Sequence, residues 1–224
     1  MGEHRVTGGP GARAGVLLDR DGTLIDVVRD EETGAISTAF HPSHLRLLGG
    51  VGEALRLLEG AGYVLAIATN QPGPAKGHFS AAAVTRTNDA LVALHAAEGV
   101  HIASVKVCIH HPNGGPGGDA ALVGPCDCRK PKAGMLDALV AELGLARERT
   151  WMIGDSAADV EAGRAARLRT GLVFPANRCE LCPLRPLPGG AGAVASASAG
   201  AVRGTPDVHG ASLLAVVRAL LARA

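Results

Sequence analysis

Two aspartates separated by one residue follow the first apolar run of the chain. Residues 16–18 are Val-Leu-Leu, and Asp19, Arg20 and Asp21 come next, before Gly22. A short apolar run that ends at a glycine-containing turn predicts a buried strand that presents both carboxylates at its end. Two carboxylates about 4 Å apart repel each other by roughly 4 kcal/mol at an effective dielectric constant of 20. The pair therefore predicts either an ordinary Asp-Gly turn or a site with cations nearby.

Other polar residues stand at the ends of later segments. Thr69 ends a second apolar run, Asp155 follows a third, and Lys130 lies in an Arg-Lys-Pro-Lys segment that leads into a helix. Each residue alone has an ordinary structural explanation, as a turn, a helix cap or a solvated charge. In parallel α/β sheets, however, ligands bind beyond the carboxyl ends of the strands. Together these residues predict one site at that edge.

Carboxylates, a hydroxyl and an ammonium at one edge favour phosphoryl transfer. Asp19 is the predicted nucleophile, and Asp21 is the predicted acid that protonates the leaving oxygen and then activates water. Magnesium prefers oxygen ligands in octahedral geometry, and its predicted ligands are Asp19, Asp21 and Asp155. The Thr69 hydroxyl and the Lys130 ammonium are expected to hold the phosphoryl oxygens, whose negative charge must be stabilised.

The segments that carry these residues alternate between strand and helix patterns. This alternation predicts an α/β fold with a Rossmann-like, doubly wound parallel sheet flanked by helices. Strands are expected near residues 14–19, 63–68, 105–108, 149–154, 172–174 and 207–208, and helices near residues 51–58, 80–97, 133–143, 157–166 and 213–221. Residues 27–47, with mixed charge and turn signals, predict a loop excursion over the site.

The chain length of 224 residues suits one domain, predicted over residues 14–224. Residues 1–13 lack hydrophobic periodicity and predict a flexible tail. Residues 176–205, rich in Pro, Gly, Ala and Ser, predict a flexible insertion. Cys179 and Cys182 lie within it, without two further metal ligands in evidence nearby.

Composition argues against two classes of partner. The formal net charge is +1, and Phe, Tyr and Trp total five, so neither a basic field nor a stacking surface for nucleic acid is predicted. The sequence contains no run of about eighteen apolar residues and no signal-peptide pattern. We therefore expect a cytoplasmic protein, not associated with membranes, that works as a monomer.

A cysteine-containing loop predicts a second metal site. Cys108, Cys126 and Cys128, with His110 or His111, offer the three thiolates and one imidazole of a closed tetrahedral zinc site. Residues 109–128 contain almost no core-forming side chains, so a zinc ion would fix a loop, residues 108–128, that has no core of its own. Spacing alone does not choose between the two histidines.

Four motifs, in this order, resemble those of the haloacid dehalogenase superfamily of phosphatases. They are Asp19-Arg20-Asp21-Gly22-Thr23, Thr69-Asn70-Gln71, Cys126-Asp127-Cys128-Arg129-Lys130-Pro131 and Gly154-Asp155-Ser156-Ala157-Ala158-Asp159. The resemblance is strongest to the D-glycero-D-manno-heptose 1,7-bisphosphate phosphatase and histidinol-phosphatase branch. It covers about residues 14–174 and implies a minimal cap, a magnesium site and a zinc-bound loop.

The resemblance also implies roles for individual residues. Asp19 matches the nucleophile, Asp21 the acid/base and Asp155 a magnesium ligand, while Asp159 matches a supporting acidic position. The Cys-x-His-His-Pro pattern of the family points to His110 as the zinc ligand.

Substrate recognition rests on the same resemblance. Asn70, Gln71 and Lys76 are predicted to bind substrate, and the planar fork of Arg129 suits a second, non-reacting phosphate. The expected substrate is a sugar phosphate, a heptose 1,7-bisphosphate that loses its C7 phosphate. Lys76 and the neighbourhood of Pro74 depart from the family pattern, which leaves histidinol phosphate as a second substrate to consider. The sequence also leaves open an end phosphatase of nucleic acids and a zinc-stabilised interaction module without activity.

Overall fold

A six-stranded parallel sheet carries the fold in this computed structural model, which describes residues 12–29, 32, 34–174 and 205–223. The strands are β1 (Arg13–Leu18), β2 (Val28–Arg29), β3 (Ile36–Ser37), β4 (Val64–Asn70), β5 (Ile102–Cys108), β6 (Leu145–Gly154), β7 (Arg169–Val173) and β8 (Val208–Gly210). The helices are α1 (Val51–Gly60), α2 (Gly73–Lys76), α3 (Ala81–Ala97), α4 (Gly134–Leu143), α5 (Ala157–Ala165) and α6 (Leu213–Leu221). The order in the main sheet is β5-β4-β1-β6-β7-β8, and every pairing is parallel. The predicted doubly wound sheet is confirmed.

Strand β1 shows how the apolar run builds two layers. Val16 and Leu18 belong to one core cluster with residues of α1, α3 and α6, whereas Leu17 belongs to another with residues of α4 and α5. Side chains alternate along a strand, so a continuous apolar run is buried on both faces when helices cover both. No helix in the described part of the chain has the length and apolarity needed to cross a bilayer.

Several strands start earlier than the apolar runs predicted. β6 begins at Leu145 and not near residue 149. The apolar pattern missed this start because Glu148 and Arg149, in the first half of the strand, are exposed and charged. β5 is an edge strand with many half-buried residues, so its apolar pattern is weak before residue 105. The predicted tail and the predicted insertion lie almost wholly outside the described residues, and Cys179 and Cys182 lie outside them too. At the end of the predicted tail, Arg13 already belongs to β1.

The excursion over residues 27–47 contains a small amount of regular structure. β2 and β3 pair as an antiparallel hairpin, and a short 3-10 helix spans Pro42–His44. Its C-terminal end returns to the turn of residues 19–25, because Leu47 forms a bridge to Ile25. The excursion therefore stands beside the carboxyl end of β1, as a minimal cap would.

Glycines pack the loop of residues 108–128 against α2. A Cβ on Gly115 would lie 2.4 Å from the carbonyl oxygen of Lys76, and one on Gly118 would lie 2.1 Å from that of Ala75. The Asp119 amide also donates to the Pro74 carbonyl at 3.0 Å. Only glycine permits such close backbone approach, so this Gly-rich stretch is a packing surface for α2, a helix that the sequence patterns did not predict.

Candidate active site

Strand ends and one helix start bring the predicted residues to one edge. Asp19 follows β1, Thr69 lies near the end of β4, Asp155 follows β6 and Lys130 precedes α4. Gly154 has a specific reason to be glycine: a Cβ there would lie 2.2 Å from the carboxylate carbon of Asp159. The sheet therefore places these groups, and Gly154 lets α5 bring Asp159 to them.

Lys130 is a buried ammonium at the centre of this edge. Its Nζ lies 2.8 Å from Asp19 Oδ1 and 2.5 Å from Asp159 Oδ1, and it donates to the Ala68 carbonyl at 2.7 Å. A lysine has three N–H donors. Lys130 uses one of them on the Ala68 carbonyl, and its ammonium forms ion pairs with both carboxylates. Lys130 thus orients Asp19 directly, whereas the predicted contact with phosphoryl oxygens would require one of these bonds to yield.

The electrostatics around Asp19 require more positive charge than Lys130 provides. Burial is the largest cause that raises the pKa of Asp19, to about 7; Lys130 opposes the rise, and the carboxylates of Asp159 and Asp155 add to it. The pKa of Lys130 itself is raised by Asp19 and Asp159, although burial acts in the opposite direction. An ionised Asp19 at neutral pH is therefore costly unless a further cation is bound.

The carboxylates around Lys130 fit a divalent cation. Oxygen atoms of Asp19, Asp155 and Asp159 all lie within 4.8 Å of one another, and we call these three residues the acidic cluster. Three carboxylates face one ammonium, so a hard cation with oxygen ligands would balance the excess negative charge. Asp159 is also held by Ser156, whose amide and hydroxyl donate to its Oδ2 at 3.1 Å and 2.5 Å.

The carboxylate of Asp21 does not join the acidic cluster. It accepts hydrogen bonds from Arg20 Nε at 3.0 Å and from Gln71 Nε2 at 2.6 Å, and the Ala39 amide donates to it at 3.4 Å. The predicted magnesium ligand set therefore differs from the cluster: Asp159 takes the place of the Asp21 side chain. The reason is local, because the chain turns immediately after Asp19 and Arg20 draws the second carboxylate away.

Two residues predicted to bind substrate instead support the site from within. Asn70 donates to the Lys130 carbonyl at 3.0 Å and accepts from the Lys130 amide at 3.1 Å, which fixes the backbone that carries the ammonium. Gln71 is fully buried and its Nε2 also donates to the Thr69 hydroxyl oxygen at 2.9 Å. Since Thr69 accepts this bond, its own O–H is the donor that a phosphoryl oxygen would use.

The other two predicted substrate contacts have side chains that are partly accessible. Arg129 is half-buried beside Lys130, and its Nη1 donates to the His110 carbonyl at 3.4 Å. Lys76 is half-buried at the end of α2, whose backbone packs against Gly115. Both cations belong to segments that the loop of residues 108–128 holds in place.

A second cluster has the composition of a zinc site. Sulfur atoms of Cys108, Cys126 and Cys128 and a ring nitrogen of His110 lie within 4.8 Å of one another; we call these four residues the cysteine cluster. Cys108 Sγ is 3.7 Å from Cys126 Sγ and 3.1 Å from Cys128 Sγ, and His110 Nδ1 is 3.4 Å from Cys128 Sγ. A tetrahedral zinc site has ligand–ligand edges of about 3.5–3.8 Å, so the four groups fit zinc after small adjustments.

The structure distinguishes the two candidate histidines. His111 Nδ1 contacts the carbonyl of Asn113 at 2.6 Å, outside the cysteine cluster, whereas His110 points into it. Burial raises the pKa of Cys108, and the contact with Cys128 raises it further. A cation is therefore needed for Cys108 to ionise, as a zinc ligand must.

Comparison with known proteins identifies the family. Residues 127–174 match the Hydrolase_like family model, described as "HAD-hyrolase-like". D-glycero-beta-D-manno-heptose-1,7-bisphosphate 7-phosphatase of Haemophilus ducreyi is 33% identical over 156 residues, covering 69% of this chain and 79% of the relative. The enzyme of the same name from Rhodopseudomonas palustris is 36% identical, with the same coverages. This chain belongs to the heptose bisphosphate phosphatase branch of the haloacid dehalogenase superfamily.

A solved structure of the family supports this assignment. The D,D-heptose 1.7-bisphosphate phosphatase of B. bronchiseptica, complexed with magnesium and phosphate, superposes with a TM-score of 0.67 at 25% identity. The match covers 94% of this chain and 99% of that one. The chain is therefore a phosphoric monoester hydrolase of the heptose bisphosphate phosphatase type.

Sequence reasoning missed three supporting residues of this phosphatase. Arg20 is fully buried and contacts Asp21, Ser156 holds Asp159, and Asn88 on α3 accepts from Arg20 at 2.7 Å. Ser156 could have been found, because a serine three residues before an acidic residue at a helix start is a capping-box signal. Arg20 lies inside the first motif, but its partner Asn88 is 68 positions away and lies in none of the four motifs.

Proposed function

We propose that this phosphatase removes the C7 phosphate from D-glycero-D-manno-heptose 1,7-bisphosphate, with magnesium, through an aspartyl-phosphate on Asp19. One observation carries the mechanism: Lys130 fixes Asp19 at 2.8 Å inside the acidic cluster. The choice of substrate is supported by the names of relatives that are 33–36% identical to this chain. Their names specify the beta anomer, which we expect to be preferred here.

The first half-reaction transfers the phosphoryl group to Asp19. A carboxylate oxygen of Asp19 attacks phosphorus, and the bond between phosphorus and the C7 oxygen breaks, with its electron pair going to oxygen. Asp21 delivers a proton to that oxygen, so heptose 1-phosphate leaves as an alcohol. Lys130 prepares this step because its bond to Oδ1 fixes the orientation of the nucleophile.

The second half-reaction returns Asp19 to its starting state. Asp21, now a carboxylate, accepts a proton from water while the water oxygen attacks phosphorus. The bond between phosphorus and the Asp19 oxygen breaks, which releases inorganic phosphate and restores the carboxylate. Thr69 would donate its hydroxyl proton to a phosphoryl oxygen in both halves.

The two metals would serve different purposes. Magnesium, held by the acidic cluster, would neutralise charge on the phosphoryl oxygens. Zinc, held by the cysteine cluster, would fix the loop of residues 108–128, which leads directly into Arg129 and Lys130. Arg129 would then recognise the remaining C1 phosphate through its planar guanidinium.

Phosphate release with matched substrates tests this proposal. Purified protein with magnesium is assayed against both anomers of heptose 1,7-bisphosphate, against histidinol phosphate and against a 3′-phosphorylated oligonucleotide, beside an Asp19→Asn variant. We expect the beta anomer to give the highest kcat/KM and the variant to be inactive. Preferred turnover of histidinol phosphate would overturn the substrate, and equal rates for wild type and variant would overturn the mechanism.

A further inference from the structure

Arg20, which separates the two catalytic aspartates, is a fully buried charge. Its guanidinium contacts the carboxylate of Asp21 through two nitrogens: Nε lies 3.0 Å from Oδ2 and Nη2 lies 3.3 Å from Oδ1. Within the part of the chain that the structure describes, Arg20 makes one ion pair, and its partner is Asp21. A buried guanidinium is tolerated only with a charged partner and satisfied donors, so Arg20 and Asp21 depend on each other.

The two terminal nitrogens of Arg20 also reach two other parts of the fold, and the two short bonds of Nη2 leave its 3.3 Å contact with Asp21 Oδ1 as an electrostatic one. Nη1 donates to Asn88 Oδ1 on α3 at 2.7 Å. Nη2 donates to the Thr38 hydroxyl at 2.6 Å and to the Ala39 carbonyl at 2.8 Å, both in the excursion. These partners are neutral, so they orient the guanidinium without competing with Asp21 for its charge.

Gln71 closes a ring around the same carboxylate. Its Nε2 donates to Asp21 Oδ2 at 2.6 Å, and its Oε1 accepts from the Thr38 hydroxyl at 3.0 Å. One cycle of hydrogen bonds thus joins Asp21, Arg20, Thr38 and Gln71. Its members come from the turn of residues 19–25, from the excursion and from the end of β4. A carboxylate bound on both oxygens by members of one cycle keeps a single orientation.

We propose that Arg20 is a positioning residue that orients the Asp21 carboxyl group for proton transfer to and from the reacting oxygens. It acts through Asp21 and does not touch substrate. This inference rests on the proposed phosphatase mechanism, in which Asp21 is the acid/base. Its consequence is specific: Arg20 matters most when the leaving oxygen needs a proton and least when it does not.

The dependence of rate on the leaving group tests this role. An alkoxide such as the C7 oxygen must be protonated, whereas 4-nitrophenolate leaves without a proton, and general acid catalysis contributes about 10²–10⁴-fold. Arg20→Met is expected to lower kcat/KM about 100-fold for heptose 1,7-bisphosphate but less than about 5-fold for 4-nitrophenyl phosphate. Arg20→Lys keeps the charge but not the fork, so we expect an intermediate loss with the same bias.

Controls separate positioning from folding. Arg147→Met removes another arginine that pairs with an aspartate, Asp137 at 2.6 Å, away from the site, and is expected to change neither rate. If Arg20→Met does not fold, Thr38→Val opens the same ring without removing charge and is expected to show the same bias at about 3–5-fold. The solvent isotope effect with heptose 1,7-bisphosphate is measured on every variant. It is expected to rise in the Arg20 and Thr38 variants, because proton transfer becomes slower, and to stay unchanged in Arg147→Met.

The outcomes separate this inference from the proposed function. Wild-type protein without magnesium-dependent phosphate release would refute the function itself. Active wild type with variants of Arg20 and Thr38 that lose the same factor on both substrates, with an unchanged isotope effect, would show that Arg20 is only structural.

Discussion

The acidic cluster and the cysteine cluster are held by different parts of the fold. The acidic cluster stands on the ends of β1 and β6 and the first turn of α5, and Lys130 and Ser156 orient its oxygens. The cysteine cluster joins the end of β5 to a loop whose only regular structure, among its described residues, is a 3-10 turn at Ala120–Leu122. We therefore expect the first cluster to keep its place without an ion and the second to depend on a bound ion to hold its loop.

This difference predicts separate contributions from the two proposed metals. Loss of magnesium should remove activity and leave the fold intact, because strand ends, helix α5 and the contacts of Lys130 and Ser156 already hold the acidic cluster. Loss of zinc should loosen a loop that packs against α2 and leads into Lys130, so it should affect both stability and activity. The following predictions test this contrast. The variants come first, in order of decreasing effect on activity, and changes of metal and pH follow.

The largest effect is expected from removal of the nucleophile. Asp19→Asn should lower kcat at least about 10⁴-fold, because an amide does not form the acyl phosphate. Measurement of kcat with saturating magnesium and substrate checks this. Asp26→Asn changes a half-buried aspartate just after the bridge at Ile25 that closes this turn. It is the matched control and should retain activity.

Removal of the buried ammonium comes next. Lys130→Met should lower kcat/KM about 10²–10³-fold and lower the free energy of unfolding by about 3–5 kcal/mol, because Asp159 is left buried without its ionic partner. Lys106→Met breaks a half-exposed pair with Glu142 at 2.5 Å and should cost at most about 1 kcal/mol. Steady-state kinetics and urea unfolding measure both; similar losses of stability in the two variants would contradict the central position of Lys130.

Adjacent histidines test the role of zinc. His110→Ala should lose stoichiometric zinc, lower Tm by several degrees and reduce activity about 10-fold, a loss in keeping with the 10–100-fold effects seen when metal sites are perturbed. His111→Ala should keep zinc and activity, since the His111 ring contacts Asn113 of its own turn and is not a member of the cysteine cluster. Metal analysis and thermal unfolding check both variants. Zinc bound to His110→Ala but not to His111→Ala would reverse the assignment.

Withdrawal of magnesium provides the complementary test. Transfer to magnesium-free buffer that leaves zinc in place should abolish turnover and shift Tm by less than the loss of zinc does. A drop in Tm larger than that of His110→Ala would show that the acidic cluster also depends on its ion for its place in the fold.

The smallest effect is a dependence of stability on pH in magnesium-free protein. The pKa of Asp19 rises from its ordinary value of 3.8 to about 7, so between these values the folded state retains a proton that the unfolded state has lost. The contribution of Asp19 to the free energy of unfolding therefore falls as pH rises through this window. Asp19→Asn lacks this penalty and should be more stable than wild type by about 1–3 kcal/mol at pH 8 but by little at pH 4. Urea unfolding at both pH values measures the difference, which a saturating magnesium concentration should remove.

Sequence patterns determined the fold class and the main chemical groups. The apolar run before Asp19, the alternation of strands and helices, and the spacing of the cysteines depend on local chemistry, so they can be recognised from the sequence. The resemblance in motif order then pointed to the family, and relatives at 33–36% identity support that assignment. Local patterns were weakest at the edge strand β5 and at the charged start of β6, where burial and apolar character do not coincide.

The tertiary structure alone decided which groups face one another. The sequence predicted that Asp19 and Asp21 would share a site and a cation, but each has its own: Lys130 for Asp19, and Arg20 for Asp21. Lys130 is distant from Asp19 in the chain and reaches it because Asn70, at the end of β4, holds the Lys130 backbone beside β1. Asn88 reaches Arg20 across 68 positions. Such contacts depend on the packing of helices against the sheet and on the side-chain directions it allows. Spacing along the chain gives neither the packing of the helices nor the directions of the side chains. The sequence could therefore identify the two aspartates but not which cation each of them contacts.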